Sequence, residues 1–550
     1  MEAAQAQVVP DTTLPNNSIV KSEQENTIIT GGTSTGANLF HSFSQFSVRK
    51  GENVYFDNPD RVDNIIMRVT GRNISNIDGL IRAAGNVNLY LLNPNGIHFG
   101  QNAVLDIKGS LYLTTAESWK FPDSHNTHTP PLLQVSAPIG IQWGSIGNIQ
   151  IDADLSSKNL SLTANNITIT SNLTSTGDIN LDAKFINLNQ AVIKSVQMGN
   201  INLQADFISI ANGSKLINNN TVDTNGGDIT VSANNKLTII GAKTGLFTDT
   251  TSNSVTNGGN IFLKAPTVEI TDKARVTVSS QGSGKSGNLK LVSDNLTIEG
   301  GTLSAKTATD GGNLNVYAYS LLTLRDNATI STVSIGKGNG ANINVQAGFI
   351  LVNSNGDNDI TTNVVQNSGG KIRILSNAIF GLEIRRVPTE RSNDISVTSQ
   401  NNGYSNIDIT TLNIDPNRGV TELPISIVDV SKQINQTCSN QATANRFIIV
   451  GRGGLPLNTT EALSLNSGWI DWRRVDKEDN NSLDVSKQNQ LVEANEWKVE
   501  NGQITLVANH STSPNVQKPN CRLGRHLHGR VSRLEQSAVG GTELNITSTQ

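Results

Sequence analysis

Along most of this chain apolar residues recur at every second position in short runs, the pattern of half-buried strands. In GNVNLYLL, Val87, Leu89 and Leu91 alternate with Asn88 and Tyr90, and after Asn93-Pro94-Asn95-Gly96 the alternation resumes with Ile97 and Phe99 around His98. Pro94 presets φ for the second position of a tight turn, Asn95 tolerates the third, and Gly96 accepts a left-handed φ. The stretch predicts strand, corner, strand.

Further on, a Gly-(Asn/Asp)-(Ile/Leu)-x-(Val/Leu/Ile) start recurs: GDINL at 177, GNINL at 199, GDITV at 227, GNIFL at 259, GNLKL at 287 and GNLNV at 312, then the degenerate ANINV at 341 and GKIRI at 370. The first apolar residues, Ile179, Ile201, Ile229, Ile261, Leu289, Leu314, Ile343 and Ile372, are 22, 28, 32, 28, 25, 29 and 29 apart. Within one unit, NIFLKAPTVEITDKARVTVSS reads as three short strands with Ile261 and Leu263, Val268 and Ile270, and Val276 and Val278 on one side. Such a unit cannot bury its apolar face alone. Stacking the units as coils of a parallel β-helix, about 4.8 Å apart, lines one core with equivalent positions. Asn suits the corners, because it accepts tight backbone angles and bonds to Asn of the next coil. Elastic spacing then means corner loops of varying length. A sandwich or barrel would need hairpin signals between most strands, and these are scarce after residue 150.

The pattern divides the chain. Residues 7–145 are β-rich without the ladder and are expected to cap the open edge of the first coil. WKFPDSHNTHTPP, from Trp119 to Pro131, reads as a loop excursion. Residues 146–415 carry the repeats. Residues 416–521 form a separate strand-and-turn region holding Trp469, Trp472 and Trp497, and residues 522–550 read as a basic, disordered tail. Ala4-Gln5-Ala6 has the small-x-small form of a signal-peptidase site, so residues 1–6 are expected to be the end of a signal peptide; a short polar N-terminus is the alternative.

Charged residues make up only 16% and aromatics 4%, a polar, uncharged composition from which the regular supply of Ile, Val and Leu excludes general disorder. The formal net charge of −4 offers no electrostatic reason to expect nucleic acid as a partner. The two cysteines, Cys438 and Cys521, would be bridged in a secreted chain and free in a cytosolic one.

No catalytic, cofactor or metal site is expected. Asp178, Asp228 and Glu269 lie on different turns, whereas a polysaccharide-cleaving site needs convergent carboxylates. Asp357 and Asp359 lack the glycine-aspartate tandem of calcium-binding solenoids and read as a loop. His125, His128, His526 and His528 fit no four-ligand zinc spacing. GRGGLP at Gly451 lacks the Lys-Ser/Thr of a phosphate loop and reads as a turn.

The stretch Val54 to Ser110, with SNIDGLI, NPNGI and FGQNAVLDIKGS, resembles the haemagglutination-activity, or two-partner-secretion, domain of filamentous haemagglutinin-like exoproteins, over about residues 28 to 145. The later ladder, LPISIVDVS before Cys438, and GRGGLPLNTTEALS resemble the cyanobacterial branch of that family. The resemblance implies a right-handed β-helix passenger, exported by the general secretory route and then through a dedicated outer-membrane β-barrel with periplasmic POTRA domains. It places Asn93, Pro94, Asn95, Gly96 and Ile97 within the part required for that export. It further implies a secreted or surface-held adhesin, with a cell-surface glycan or other receptor as partner. A polysaccharide-active β-helix enzyme and a toxin carrier are the alternatives. The lack of cysteine before Cys438 fits passage through a pore, and Cys438 and Cys521 are then expected to form a disulfide that closes the C-terminal region.

Overall fold

A computed structural model of the chain describes residues 8–120, 140–142, 147–218, 225–250, 255–309, 311–335, 341–353, 356–365, 370–399, 406–411, 496–500 and 503–507. The chain divides into two units, residues 1–420 and 421–550. Among the described residues there is no helix. The second unit shows one antiparallel pair, Glu496–Glu500 with Gln503–Val507. Cys438, Cys521, Gly451, His125, His128, His526, His528 and residues 1–6 lie outside the described residues.

The first unit is a parallel β-helix behind an antiparallel cap. The eight residues that head the sequence ladder are stacked in register, Ile179 on Ile201, then Ile229, Ile261, Leu289, Leu314, Ile343 and Ile372, with Ile407 beyond. All but Ile407 are fully buried. The same column also runs upstream through Leu160, Leu111, Leu89 and Ile65 to Leu39. This corrects the reading that residues before 146 carry no ladder. Those coils keep the apolar column but lack the Gly-Asn start, so their register was hidden in longer and more varied strands.

Each element of the Gly-Asn-Ile start has a separate cause. The apolar residue fills the core, worth roughly 1.5–3 kcal/mol when fully buried. The glycine lets one coil touch the next: a Cβ on Gly199 would strike the carbonyl oxygen of Gly177, one on Gly227 that of Gly199, and one on Gly259 that of Gly227. The Asn or Asp side chain accepts the backbone N–H of its counterpart one coil on, from Asp178 through Asn200, Asp228, Asn260, Asn288, Asn313 and Asn342 to the N–H of Lys371, at 2.7–3.2 Å. Upstream, Asn159 and Asn88 accept the N–H of Asp178 and Ser110 in the same way, whereas Asn159, Asn88 and Asn64 donate side chain to side chain to Ser110, Asn64 and Asn38 of the coil before. The spine ends where Lys371, which has no acceptor, takes the Asn position.

Three separate strands per coil occur in the unit from Ile261, as Ile261–Lys264, Thr267–Thr271 and Arg275–Ser280. In most coils the first two are one bent strand, such as Ile179–Asn189. Pro266 explains the difference, since it has no N–H to continue the ladder. At the bend a small buried residue recurs, with Ala164 on Ala183, Ala205 on Ala233, and Ser293, Ala318, Ala347 and Ser376 in line. From Leu155–Ser157 onward, a separate sheet of eleven strands closes the coils.

The cap consists of Val8–Pro10 antiparallel to Asn38–Phe46, the hairpin Ser18–Glu23 with Asn26–Gly31, and Thr33–Thr35 folded back on Asn38–Phe40. One core continues from Val8 to Val397. On the outer face, Phe40, Ile66 and Tyr90 form a second small cluster beneath Leu14, with Trp119 edge-on to Tyr90 at 5.5 Å.

Asn288→Ala removes one acceptor of the spine and is expected to cost about 1 kcal/mol, whereas Asn288→Asp should cost less than half of that because Asp178 and Asp228 already serve there. Urea midpoints for the three chains measure this, and coincident midpoints would contradict it.

Candidate functional site

Strand Asn88–Leu92 enters the corner and Gly96–Phe99 leaves it. The Gly96 N–H donates to the Asn93 carbonyl at 3.1 Å, closing a four-residue turn. Gly96 has φ +137 and is also closely packed, because a Cβ there would lie 3.1 Å from the Asn148 carbonyl oxygen. Ile97 points into the core at 1% exposure.

Asn93 holds the corner to the preceding coil. It is fully buried, and its side-chain Nδ2 donates to the Asn73 carbonyl and the Ser75 hydroxyl, both at 3.0 Å. Its Oδ1 accepts the N–H and the Nδ2 of Asn95, both at 3.0 Å. The exposed Asn95 also donates to the Gly71 carbonyl at 2.8 Å. On the following coil, Gly147 packs so close that a Cβ would strike the Pro94 carbonyl oxygen, and its own carbonyl accepts from Thr115 Oγ1 at 2.9 Å. The corner is therefore a three-layer stack, with polar groups consumed on both sides.

His98, next to the motif, adds a lateral tie. Its Nε2 lies 2.9 Å from Asp152 Oδ2, and Asp152 also accepts from Gln150 at 2.7 Å and Thr170 at 2.6 Å. Burial alone would raise the Asp152 carboxyl, but the hydrogen bonds from Thr170, His98 and Gln150 and the His98 charge hold it below the ordinary range.

Sequence reasoning missed Gly71, Asn73, Ser75, Gly147 and Asp152, which lie 18 or more residues from the turn. Gly147-Asn148-Ile149 does repeat the ladder's start, but on a different face: Ile149 stacks on Ile97 and Ile167.

The candidate carboxylates are structural. Asp178 and Asp228 lie on different turns, at the same corner position two coils apart, and each accepts a backbone N–H of the next coil at 2.7 Å. Glu269 pairs with Lys236 at 2.8 Å. Asp359 accepts the Asp394 N–H at 2.9 Å, and Asp394 in turn meets Arg385 Nε at 2.9 Å. Burial, aided by the charges of Asp357 and Asp394, pushes Asp359 up to about 6. Among the described residues no group of three His, Cys, Asp or Glu is arranged to hold a metal ion.

Residues 6–239 match the family model of the TPS secretion domain. The match implies a protein secreted by a two-partner system, with a dedicated outer-membrane transporter as partner. The TPS-matching region contains the cap, the Asn93–Ile97 corner and the first coils of the ladder. No curated protein matches the chain. Among solved structures, the chain is similar to the HMW1 secretion domain from Haemophilus influenzae, at 16% identity and a TM-score of 0.44, over 71% of this chain and 100% of that one.

Two outcomes are expected. Gly147→Ala should disturb the corner and lower the melting temperature, while Gly213→Ala, where a Cβ meets nothing within 4 Å but φ is +87, carries only the backbone strain and should lower it less; equal losses would contradict the packing account. Asp359 has a raised folded pKa, so the stability it contributes is full below the unfolded value and lost as pH rises through about 6. Asp359→Asn should therefore raise the melting temperature at pH 7.5 and leave it unchanged at pH 4. A shift of equal size at both would contradict this.

Proposed function

We propose that the chain is exported through an outer-membrane β-barrel with POTRA domains, that Asn93, Pro94, Asn95, Gly96 and Ile97 are part of the export determinant, and that the later coils act at or beyond the cell surface as an adhesin. The observation that carries the reading is the burial of Asn93, all of whose side-chain polar groups are engaged by the fold. A transporter that depends on this motif must meet it before the third coil closes, or depend on the closing itself. An extended N-terminal segment can add to a POTRA sheet edge as a strand. Each coil that then folds outside presents its edge to the next, so folding draws the chain outward.

The adhesin part is supported by apolar side chains on the outer face. Phe185 and Phe207 stack 5.3 Å apart while each stays about 40% exposed, and Tyr319, Phe349 and Leu351 are exposed in later coils. Such surfaces suit a glycan or a protein receptor. A disulfide between Cys438 and Cys521 and a signal-peptide end at residues 1–6 remain part of the proposal.

The test is export. A signal peptide is fused ahead of Gln7, the two-partner transporter encoded nearest the gene is supplied, and medium is compared with periplasm for the native chain and for Asn95→Ala/Gly96→Ala. The native chain should reach the medium only with the transporter, and the variant should stay behind. Export of both without regard to transporter would sink the reading; export of both that still needs the transporter would sink the role of the corner alone.

A further inference from the structure

A single histidine heads an otherwise apolar interior column. His41 stacks in register on Met67, which is followed by Leu91, Leu113, Leu162 and Leu181. The imidazole is 2% exposed. Its Nδ1 lies 2.9 Å from the Ser18 hydroxyl, one tie between the cap hairpin and the first coil beside the parallel pairing of Asn26–Ile29 with Asn53–Phe56. Its Nε2 is buried and has no hydrogen-bond partner. The rings of Phe43 and Phe56 lie 6.0 and 5.5 Å away, and Gly32 packs against the imidazole so closely that a Cβ would lie 3.0 Å from it.

No charge compensates it. On the hairpin strand that carries Ser18, Lys21 and Glu23 are exposed. On the strand that carries Met67, Arg68 turns outward to Ser42 Oγ and Thr13 Oγ1, where Asp11 joins the same network. The strands Asn26–Gly31, Thr33–Thr35 and Asn53–Phe56 hold no charged residue. A proton on the ring would thus place a charge, and an N–H without an acceptor, inside the apolar column.

We propose that His41 makes the N-terminal cap an acid-sensitive latch: protonation of its ring releases the hairpin Ser18–Gly31 from the first coil, while the coils behind it stay folded. Release uncovers the end of the solenoid, an edge that another strand can join. The latch does not require the export reading.

Burial holds the His41 pKa down at about 4 in the folded chain. A depressed histidine contributes stability that is full above the unfolded value of about 6.5 and is lost as pH falls towards about 4. Asp11 acts in a different window. Burial would raise it, but hydrogen bonds from Thr13, Thr70 and Ser42 outweigh that and hold it below 3.8, so its contribution goes at lower pH.

The test is hydrogen exchange of the full chain from pH 7.5 to 4.5, corrected for the intrinsic pH dependence, read on peptides from residues 8–35 and 261–309. The native cap should lose at least tenfold in protection while residues 261–309 keep theirs. His41→Leu and His41→Met, which copy the residues that follow in the column, should keep the cap protected throughout; either variant that folds suffices. A native cap still protected at pH 4.5, or a folded variant that loses protection as the native chain does, overturns the proposal.

Discussion

The structure depends on one contact, repeated coil after coil: an Asn or Asp oxygen accepting the backbone N–H of the next coil beside a glycine that lets the two backbones meet. Core burial is the larger energy, roughly 1.5–3 kcal/mol per buried aliphatic side chain, against about 1 kcal/mol net for each such hydrogen bond. Burial does not choose a register, however, because side chains alternate with period two and a slip of two residues leaves every apolar group facing inward. The Gly-Asn pair does choose. The same slip would bring Lys285 or Leu289 against the carbonyl of Gly259, where only the absence of a Cβ gives room. Core residues supply the stability and the corner supplies the register.

The corner at Asn93 to Gly96 uses the same means at another place on the coil. Asn93 reaches back to Asn73 and Ser75, and Gly96 yields space to Asn148 in the coil ahead. Asn93 is buried, as are Asn38 and Asn64 in the first coils, whereas Asn200, Asn260 and Asn288 of the later spine are exposed. Under the proposed export role, a sequence element so absorbed into the fold must be met before its coil closes or act through the closing itself. This joins the secretion implied by the TPS match to the order in which coils close.

The repeats were legible from Ile179 to Ile372, because Gly, Asn and an aliphatic residue recur together and each is needed locally. Their spacing, although elastic, is the observed register. The earlier coils were not legible. Asn38-Leu39, Asn64-Ile65 and Asn88-Leu89 keep the spine and the core, but Ala37, Asp63 and Val87 stand where later coils have glycine, so the motif search had no anchor. The turn at Pro94 was readable from local backbone preferences, while its partners Gly71 and Gly147 were not, since nothing local ties them to it. The column of Ala and Ser at the strand bend was missed for the same reason, being visible only after the coils are stacked.

Exposed corner amides are held by side chains one coil away. The most direct measurement is residue-level hydrogen exchange at the backbone N–H groups of Asn200, Asn260, Asn288 and Asn313 in the native chain, repeated for Asn288 in an Asn260→Ala chain. The account predicts slow exchange at all four despite their surface positions, and fast exchange at Asn288 once Asn260 is truncated. Corner amides that exchange as fast as open turns, or an Asn288 amide indifferent to Asn260, would contradict it.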